Sequence, residues 1–163
     1  MPTVITGTDG VSQVQTGAVE SGDLPSEAYQ KNNILGTVSE SGGVPTGAII
    51  ERGSNANGEF VKYADGTLIC TRKAISISYT NAFVIKADLT FPATFESASD
   101  VSLQVTVDDD LQGIGLTGSA RPKGSVYSIV QTTSTCIVGF MSNQDFTSSE
   151  SGRVAYIGIG RWY

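Results

Sequence analysis

Consecutive acidic residues are the densest group of side chains in the sequence that could bind a metal ion. Asp108, Asp109 and Asp110 supply carboxylate oxygens, which are the ligands that Ca²⁺ prefers. The spaced acids, the glycine and the closing glutamate of an EF-hand loop do not accompany them. The pattern therefore favours a solvated acidic turn, and the sequence predicts no metal.

Paired carboxylates could also hydrolyse a glycosidic bond if two of them flanked it. Asp145 and Glu150 add to the available acids, but nothing in the sequence places any two at a catalytic separation. The chain contains no histidine, so Ser-His-Asp and Cys-His nucleophiles and His-containing zinc sites are excluded. We expect a protein that is not an enzyme and that uses no cofactor.

Charge and cysteine content narrow the partner classes further. The formal net charge is −6 and lysine and arginine do not cluster, so contacts to nucleic acid or an anionic membrane are disfavoured. No apolar stretch approaches the ~20 residues of a membrane helix, so no membrane insertion is expected. Cys70 and Cys136 lie in apolar runs, where buried free thiols are favoured, and a bridge between them stays open.

The elements that must position these side chains are strands. Charged residues make up 16% of the chain and glycine numbers 19, which is typical of an all-β composition. Residues 101–107 are apolar at every odd position, and residues 83–91 alternate in the same way until Pro92 ends the run. Eight or nine short strands without a long helix predict a compact antiparallel β-sandwich.

A hairpin is predicted where Asp65-Gly66 separates two alternating runs. A two-residue type I′ turn would pair Tyr63 with Leu68 and Val61 with Cys70. These four side chains would then share the core-facing side of the hairpin, and the opposite side would be mixed in character.

A bulge is predicted just after this hairpin. The apolar residues Ile75 and Ile77 have odd numbers, whereas Leu68 and Cys70 have even numbers. One strand can direct both pairs to the same side only if an extra residue interrupts the alternation. We therefore expect a β-bulge or a break near Arg72-Lys73.

Three segments resemble a known family. Residues 47–70 read G-A-I-I-E-R-G-S-N-A-N-G-E-F-V-K-Y-A-D-G-T-L-I-C, residues 91–95 read F-P-A-T-F, and residues 156–163 read Y-I-G-I-G-R-W-Y. In this order they resemble the C-terminal receptor-binding domains of bacteriophage and prophage tail-fibre proteins, similar to H-type-lectin-like fibre tips. The resemblance covers residues 47–163 and implies a β-rich domain, a homotrimer and a host-surface saccharide as ligand.

The same resemblance implies a division of the chain. Residues 1–45 would be an extended N-terminal segment attached to other tail or baseplate proteins of the virion, and residues 46–163 the receptor-binding domain. Taken alone, the first segment has the composition of a flexible tail. The expected location is the virion tail fibre, after assembly in the host cytoplasm. A structural baseplate or tail-tip protein without receptor binding is the alternative.

Candidate receptor contacts are hydrogen-bonding side chains of the predicted loops, together with one tyrosine that could stack on a sugar ring. They are Asp108, Asp109, Asp110, Gln112, Arg121, Lys123, Tyr127, Asn143, Gln144 and Asp145. Each is also compatible with an ordinary loop role.

One face of the last strand is a candidate subunit contact, because its two glycines leave room for another backbone or ring. Its residues are Tyr156, Gly158, Gly160 and Trp162. This face, or the mixed face of the hairpin, is expected to meet sister copies in a homotrimer. A simpler role for the terminal aromatic residues is to seal the edge of the sandwich.

Overall fold

The computed structural model describes residues 31–107, 124–142 and 145–163. A short helix, α1 (Lys31–Ile34), precedes ten strands, and a 3₁₀ turn (Ala98–Asp100) lies between the sixth and seventh strands. The strands are β1 (Glu40–Ser41), β2 (Val44–Pro45), β3 (Ile50–Asn55), β4 (Gly58–Tyr63), β5 (Thr67–Asn81), β6 (Val84–Thr90), β7 (Ser102–Val107), β8 (Gly124–Val130), β9 (Thr135–Ser142) and β10 (Ser151–Arg161). The prediction of an all-β, antiparallel class is confirmed.

Eight of these strands form one continuous antiparallel sheet organised around β5. Its order is β3-β4-β5-β6-β9-β8, and β10 pairs with both β5 and β7. β10 lies along one edge of β5, while β4 and β6 share the other edge at its two ends. The hydroxyl of Ser128 on β8 donates to the carbonyl of Leu103 on β7 at 3.1 Å. The sheet therefore folds back on itself and encloses the core.

A β-bulge interrupts β5 where the sequence predicts it. Arg72 pairs with Tyr156 and Ile75 pairs with Val154, so two residues of β5 face one residue of β10. Ala74 adopts the left-handed region with φ +55°. Because of this insertion, the even-numbered apolar residues before the bulge and the odd-numbered ones after it all point into the core.

The register of the β4–β5 hairpin differs by one residue from the prediction. Lys62 pairs with Leu68 and Phe60 pairs with Cys70. The core-facing side therefore contains Phe60, which packs against the core, whereas Val61 lies on the outer side. The predicted two-residue turn is wrong.

The turn itself gives the physical reason for the shift. Gly66 has φ +92°, but Asp65 does not adopt the positive φ that a type I′ turn needs at both central positions. The N–H of Gly66 donates to the carbonyl of Tyr63 at 3.0 Å, and the N–H of Thr67 donates to the carboxylate of Asp65 at 2.9 Å. The Asp65 side chain thus stabilises a wider turn in which the glycine is an extra, bulged residue.

The core contains apolar side chains from both halves of the folded sheet. Its most deeply buried members are Phe95, Leu68, Ile77, Ile85, Val138, Val154, Cys70 and Cys136. Val101, Leu103, Val105 and Val107 pack against them, as the alternation of residues 101–107 predicts.

Both cysteines are free and buried, in agreement with the favoured interpretation of their apolar surroundings. Burial raises the pKa of Cys70 to about 11 and that of Cys136 to about 12. The two side chains are therefore neutral thiols near pH 7 and behave as small apolar residues.

Residues 32–163 form one compact unit. The predicted boundary between residues 45 and 46 stays a prediction, because residues 1–30 of the proposed attachment segment lie outside the described residues. None of the described helices is long and apolar enough to span a membrane.

Candidate ligand-binding surface

The three segments that carry the family resemblance pack against one another. The side-chain amide of Asn55 donates to the carbonyl of Pro92 at 2.9 Å. A β-carbon added to Gly160 would lie 2.9 Å from the ring of Phe95, so this glycine makes room for a buried aromatic side chain. The segments meet at one end of the domain, formed by residues 63–67, 91–97 and 161–163, which we call the closed end.

The C-terminal residues complete the closed end by capping the β4–β5 turn. The indole N–H of Trp162 donates to the carbonyl of Tyr63 at 2.9 Å, and the hydroxyl of Tyr163 donates to the carbonyl of Ala64 at 2.7 Å. The backbone N–H of Trp162 donates to the carbonyl of Gly66 at 3.0 Å. Three backbone carbonyls of the turn are therefore satisfied by the C-terminal residues, which gives those residues a structural role.

The face of β10 that the sequence assigns to subunit contact lines the chain's own interior. Tyr156 is only 4% exposed. A β-carbon on Gly158 would lie 3.5 Å from Leu103 and 3.6 Å from Phe91 and Phe95. The glycines make room for these side chains of the same chain, which corrects the assignment of this face. The homotrimer itself stays a prediction.

Most of the predicted receptor contacts lie outside the described residues. These are Asp108, Asp109, Asp110, Gln112, Arg121, Lys123, Asn143 and Gln144. The described strands that flank them all reach the end opposite the closed end: β7 finishes there at Val107, β8 begins at Gly124, β9 finishes at Ser142 and β10 begins at Ser151. We call this end the loop end.

Phe83 is the most exposed aromatic side chain of the loop end, at 55%. Its N–H donates to the side-chain oxygen of Asn81 at 2.9 Å, and its carbonyl accepts from the N–H of Ser142 at 3.0 Å. The neighbouring Ala82 carbonyl accepts from the N–H of Phe146 at 2.6 Å. Three hydrogen bonds thus fix the backbone that carries this exposed ring.

Phe83 and Tyr79 continue the apolar alternation of their runs, and Tyr79 pairs with the buried Ile85, but both side chains are exposed. Phe83 lies in the β5–β6 turn, and Tyr79 lies near the end of β5, where it is 37% exposed. Asn81 next to Ala82 is the turn signal that marks both residues as lying beyond the core. Asp145, a predicted contact, is exposed at the same end, beside the buried Phe146.

Tyr127 is the predicted contact with the most defined surroundings. It lies on the outer face of β8, paired with Gly139 of β9, which in turn pairs with Lys86 of β6. A β-carbon on Gly139 would lie 2.7 Å from Cε1 of Tyr127 and 3.0 Å from Cβ of Lys86. The tyrosine ring therefore lies against the glycine, in space that the side chain of any larger residue at position 139 would fill.

An ion pair borders this ring. The ammonium of Lys86 lies 2.9 Å and 3.1 Å from the two carboxylate oxygens of Asp88. Burial raises the pKa of Tyr127, so its hydroxyl stays protonated and can donate a hydrogen bond near neutral pH. Exposed apolar side chains, Ile129 and Met141, surround the ring on its own side of the sheet.

A second feature lies on the outer face of β3, β4 and β5. A shallow depression of about 330 Å³ is lined by Arg52, Gly53, Ser54, Glu59, Phe60, Val61, Ile69 and Thr71. Val61 pairs with Ile69, and Ile69 pairs with the exposed Ile159 of β10. With Ile157 beside them, these side chains form an apolar band, which we call the outer stripe.

The described residues define the class: an all-β domain whose main, eight-stranded antiparallel sheet folds back on itself, with a closed end and a loop end. No protein-family model matches the chain, and the search of curated proteins gives no match. Among solved structures, the chain is similar to the P. aeruginosa R1 pyocin fibre fragment comprising C-terminal residues 323–701, with 14% identity and a TM-score of 0.42. The match covers 91% of this chain and 44% of that chain, so the chain spans less than half of the fragment.

Proposed function

We propose that this chain is a tail-fibre protein of a phage or phage-like particle, and that its loop end binds a saccharide on the host surface. One observation carries the proposal: the segments that resemble fibre tips are used internally at the closed end, whereas exposed aromatic rings lie at the opposite end. The strands that flank the predicted polar contacts converge on that same loop end. The N-terminal residues would attach the domain to other virion proteins.

The side chains of the loop end suit sugar binding for a physical reason. An aromatic ring offers a flat apolar surface to the C–H groups of a pyranose, and it loses little conformational entropy on binding. Because the turn around Phe83 is already held by backbone hydrogen bonds, ordering it on binding costs little. Individual sites of this kind are weak, but several copies on one particle gain roughly 10²–10⁴ in overall affinity.

Assembly into a homotrimer is the second part of the proposal, with the outer stripe as the contact between copies. The stripe is bordered by a cation, Arg52, in the row of Val61, and by an anion, Glu59, one row away. In a closed ring of three copies, the contact is head-to-tail, so Arg52 of one copy can meet Glu59 of the next. Exposed isoleucines on β10 extend the same apolar surface.

The function is tested by measuring binding of the labelled full chain to a glycan array and to a panel of bacterial cells. Phe83→Ser is expected to weaken binding about tenfold, because the loss of one well-placed aromatic contact removes on the order of 1.4 kcal/mol. Val44→Ser is the matched control, since Val44 is an exposed apolar residue of β2 that is separate from the loop end. Equal binding by wild type and Phe83→Ser, or no binding by wild type, would refute the proposal.

A structural tail protein without receptor binding is the second candidate, and the outer stripe is the observation that favours it. An exposed apolar band in a chain with so few charges is typical of a surface covered by another protein. In that case the wild-type chain would bind no glycan or cell, and it would copurify with tail proteins through a contact that Ile159→Lys abolishes.

A further inference from the structure

We propose that the outer face of β8, β9 and β6 is a subsite for a neutral pyranose, with the Tyr127 ring as its stacking surface. The Lys86–Asp88 ion pair would bind the hydroxyl groups of the sugar. This inference rests on the proposed saccharide-binding function and deepens it, because it places one sugar residue on the sheet beside the loop end.

The ring of Tyr127 is prepared for stacking by the glycine beneath it. One side of the ring lies over Gly139, and the glycine is buried although it lies on the outer face of the sheet. Tyr127 is half-buried, so part of its side chain remains exposed for contact with a ligand. A ring that already rests against the backbone has little freedom to lose on binding, which favours a small apolar contact such as the C–H face of a sugar.

The ion pair supplies hydrogen-bonding groups at the right distance from the ring. The β-carbon position of Gly139 touches both the tyrosine ring and Lys86, so the ring and the lysine stem are neighbours. The side chain of Asp88 is 60% exposed, and that of Lys86 is 27% exposed. A carboxylate has about four acceptor positions and an ammonium three donors, so both groups keep capacity for two adjacent hydroxyls.

Charge selects a neutral sugar over an acidic one. The lysine and the aspartate neutralise each other, and an anionic ligand would have to compete with Asp88 for the ammonium. The formal net charge of −6 on the chain also repels anions at long range. A neutral sugar neither competes with Asp88 for the ammonium nor is repelled by the net charge. Its hydroxyls can donate to Asp88 and accept from Lys86 without separating the two side chains.

The test uses saturation-transfer NMR on the full chain with simple probes. The neutral probes are the methyl pyranosides of galactose, glucose and mannose, and the anionic probe is the methyl glycoside of N-acetylneuraminic acid. At least one neutral probe is expected to bind in the millimolar range, and the anionic probe is not. Tyr127→Ala should lower the affinity for the neutral probe about tenfold. Tyr127→Phe should keep most of that affinity, because the ring remains. Asp88→Asn should also weaken it.

The control variant is Val44→Ser, at an exposed residue of β2 that belongs to neither this face nor the loop end, and it should bind the probe as the wild type does. Each variant is compared at a matched folded fraction by its urea unfolding curve. The subsite is refuted if no neutral probe binds, or if Tyr127→Ala binds the probe as the wild type does. It is also refuted if Tyr127→Ala alters the oligomeric state of the protein but leaves its affinity for the probe unchanged. If the subsite is refuted but the wild-type chain still binds cells or the glycan array, the proposed function stands. If the wild-type chain binds neither cells nor the array, the proposed function is itself refuted.

Discussion

The indole N–H of Trp162 donates to the backbone carbonyl of Tyr63 at 2.9 Å, joining two residues 99 positions apart in the chain. The ammonium of Lys62 also lies over the indole ring, 5.4 Å from its centre. Trp162 thus ties the final strand to the β4–β5 turn through both its polar edge and its aromatic face. The C-terminus is a part of the fold on which the closed end depends.

Replacement of Trp162 by phenylalanine tests this role. Trp162→Phe keeps an aromatic ring but removes one of the two donors to the Tyr63 carbonyl, which retains the N–H of Gly66. We therefore expect a loss of about 0.5–1.5 kcal/mol in the free energy of unfolding, the usual net value of one hydrogen bond. Urea unfolding followed by circular dichroism measures the change. Val44→Thr, at an exposed position of β2, is the control and should stay within about 0.5 kcal/mol of the wild type. Equal effects of the two substitutions would contradict a structural role for the indole.

Two glycines of β10 provide a matched pair for core packing. A β-carbon on Gly160 would lie 2.9 Å from Phe95, which is fully buried and cannot move without cost, whereas one on Gly158 would make ordinary contacts at 3.5–3.6 Å. Gly160→Ala is therefore expected to destabilise the domain by about 1–3 kcal/mol, and Gly158→Ala by less than about 1 kcal/mol. Thermal and urea unfolding give both values. The packing explanation fails if Gly158→Ala is the more damaging substitution.

Several parts of the fold could be predicted because they depend on local alternation. The odd positions of residues 101–107 line the core, and the change of parity between Leu68 and Ile75 locates the bulge of β5. The hairpin register could not be settled in this way. Both Phe60 and Val61 are apolar, so shifting the register by one residue leaves an acceptable core-facing side. The hydrogen bond from the N–H of Thr67 to the carboxylate of Asp65 favours the observed register over the predicted one.

The candidate site was less accessible from sequence, because its neighbours are distant in the chain. Tyr127 could be selected as an aromatic residue for stacking, but its contact with Gly139 and Lys86 depends on the order β8-β9-β6. In the same way, the glycines of β10 indicate room for a ring, and only the fold identifies that ring as Phe95 of the same chain. Residue type predicted the chemistry, and strand order decided the partner.

The two buried thiols predict a specific dependence of stability on pH. Their folded-state pKa values, about 11 for Cys70 and about 12 for Cys136, exceed the ordinary value of 9.0. The stabilisation is thus fully present below pH 9, where both states hold the protons, and is lost as pH rises through the folded-state values. Burial also raises the pKa of Tyr156, whose hydroxyl is buried and has no hydrogen-bond partner among the described residues, which acts in the same direction.

Urea unfolding at pH 8 and pH 10.5 measures this dependence. The wild type is expected to lose stability between the two values, and Cys136→Ala is expected to lose less, because one of the titrating thiols is absent. Thiol labelling of the folded chain at pH 8 should be slow and should become fast in denaturant. Fast labelling of the folded chain would show that the thiols are accessible, and would contradict the burial on which the pH dependence rests.

Assembly through the outer stripe is tested by placing a charge on one or the other outer face of the folded sheet. Ile159 on β10 is 43% exposed within the stripe, and Ile129 on β8 is 51% exposed on the opposite half of the sheet. An unpaired lysine buried between copies is strongly unfavourable, so Ile159→Lys is expected to convert the trimer to monomer, as measured by light scattering. Ile129→Lys matches it in chemistry and exposure and should leave the trimer intact. A monomeric wild type at micromolar concentration would refute the trimer. Dissociation by Ile129→Lys alone would place the contact on the face of Tyr127 and would also refute the sugar subsite there.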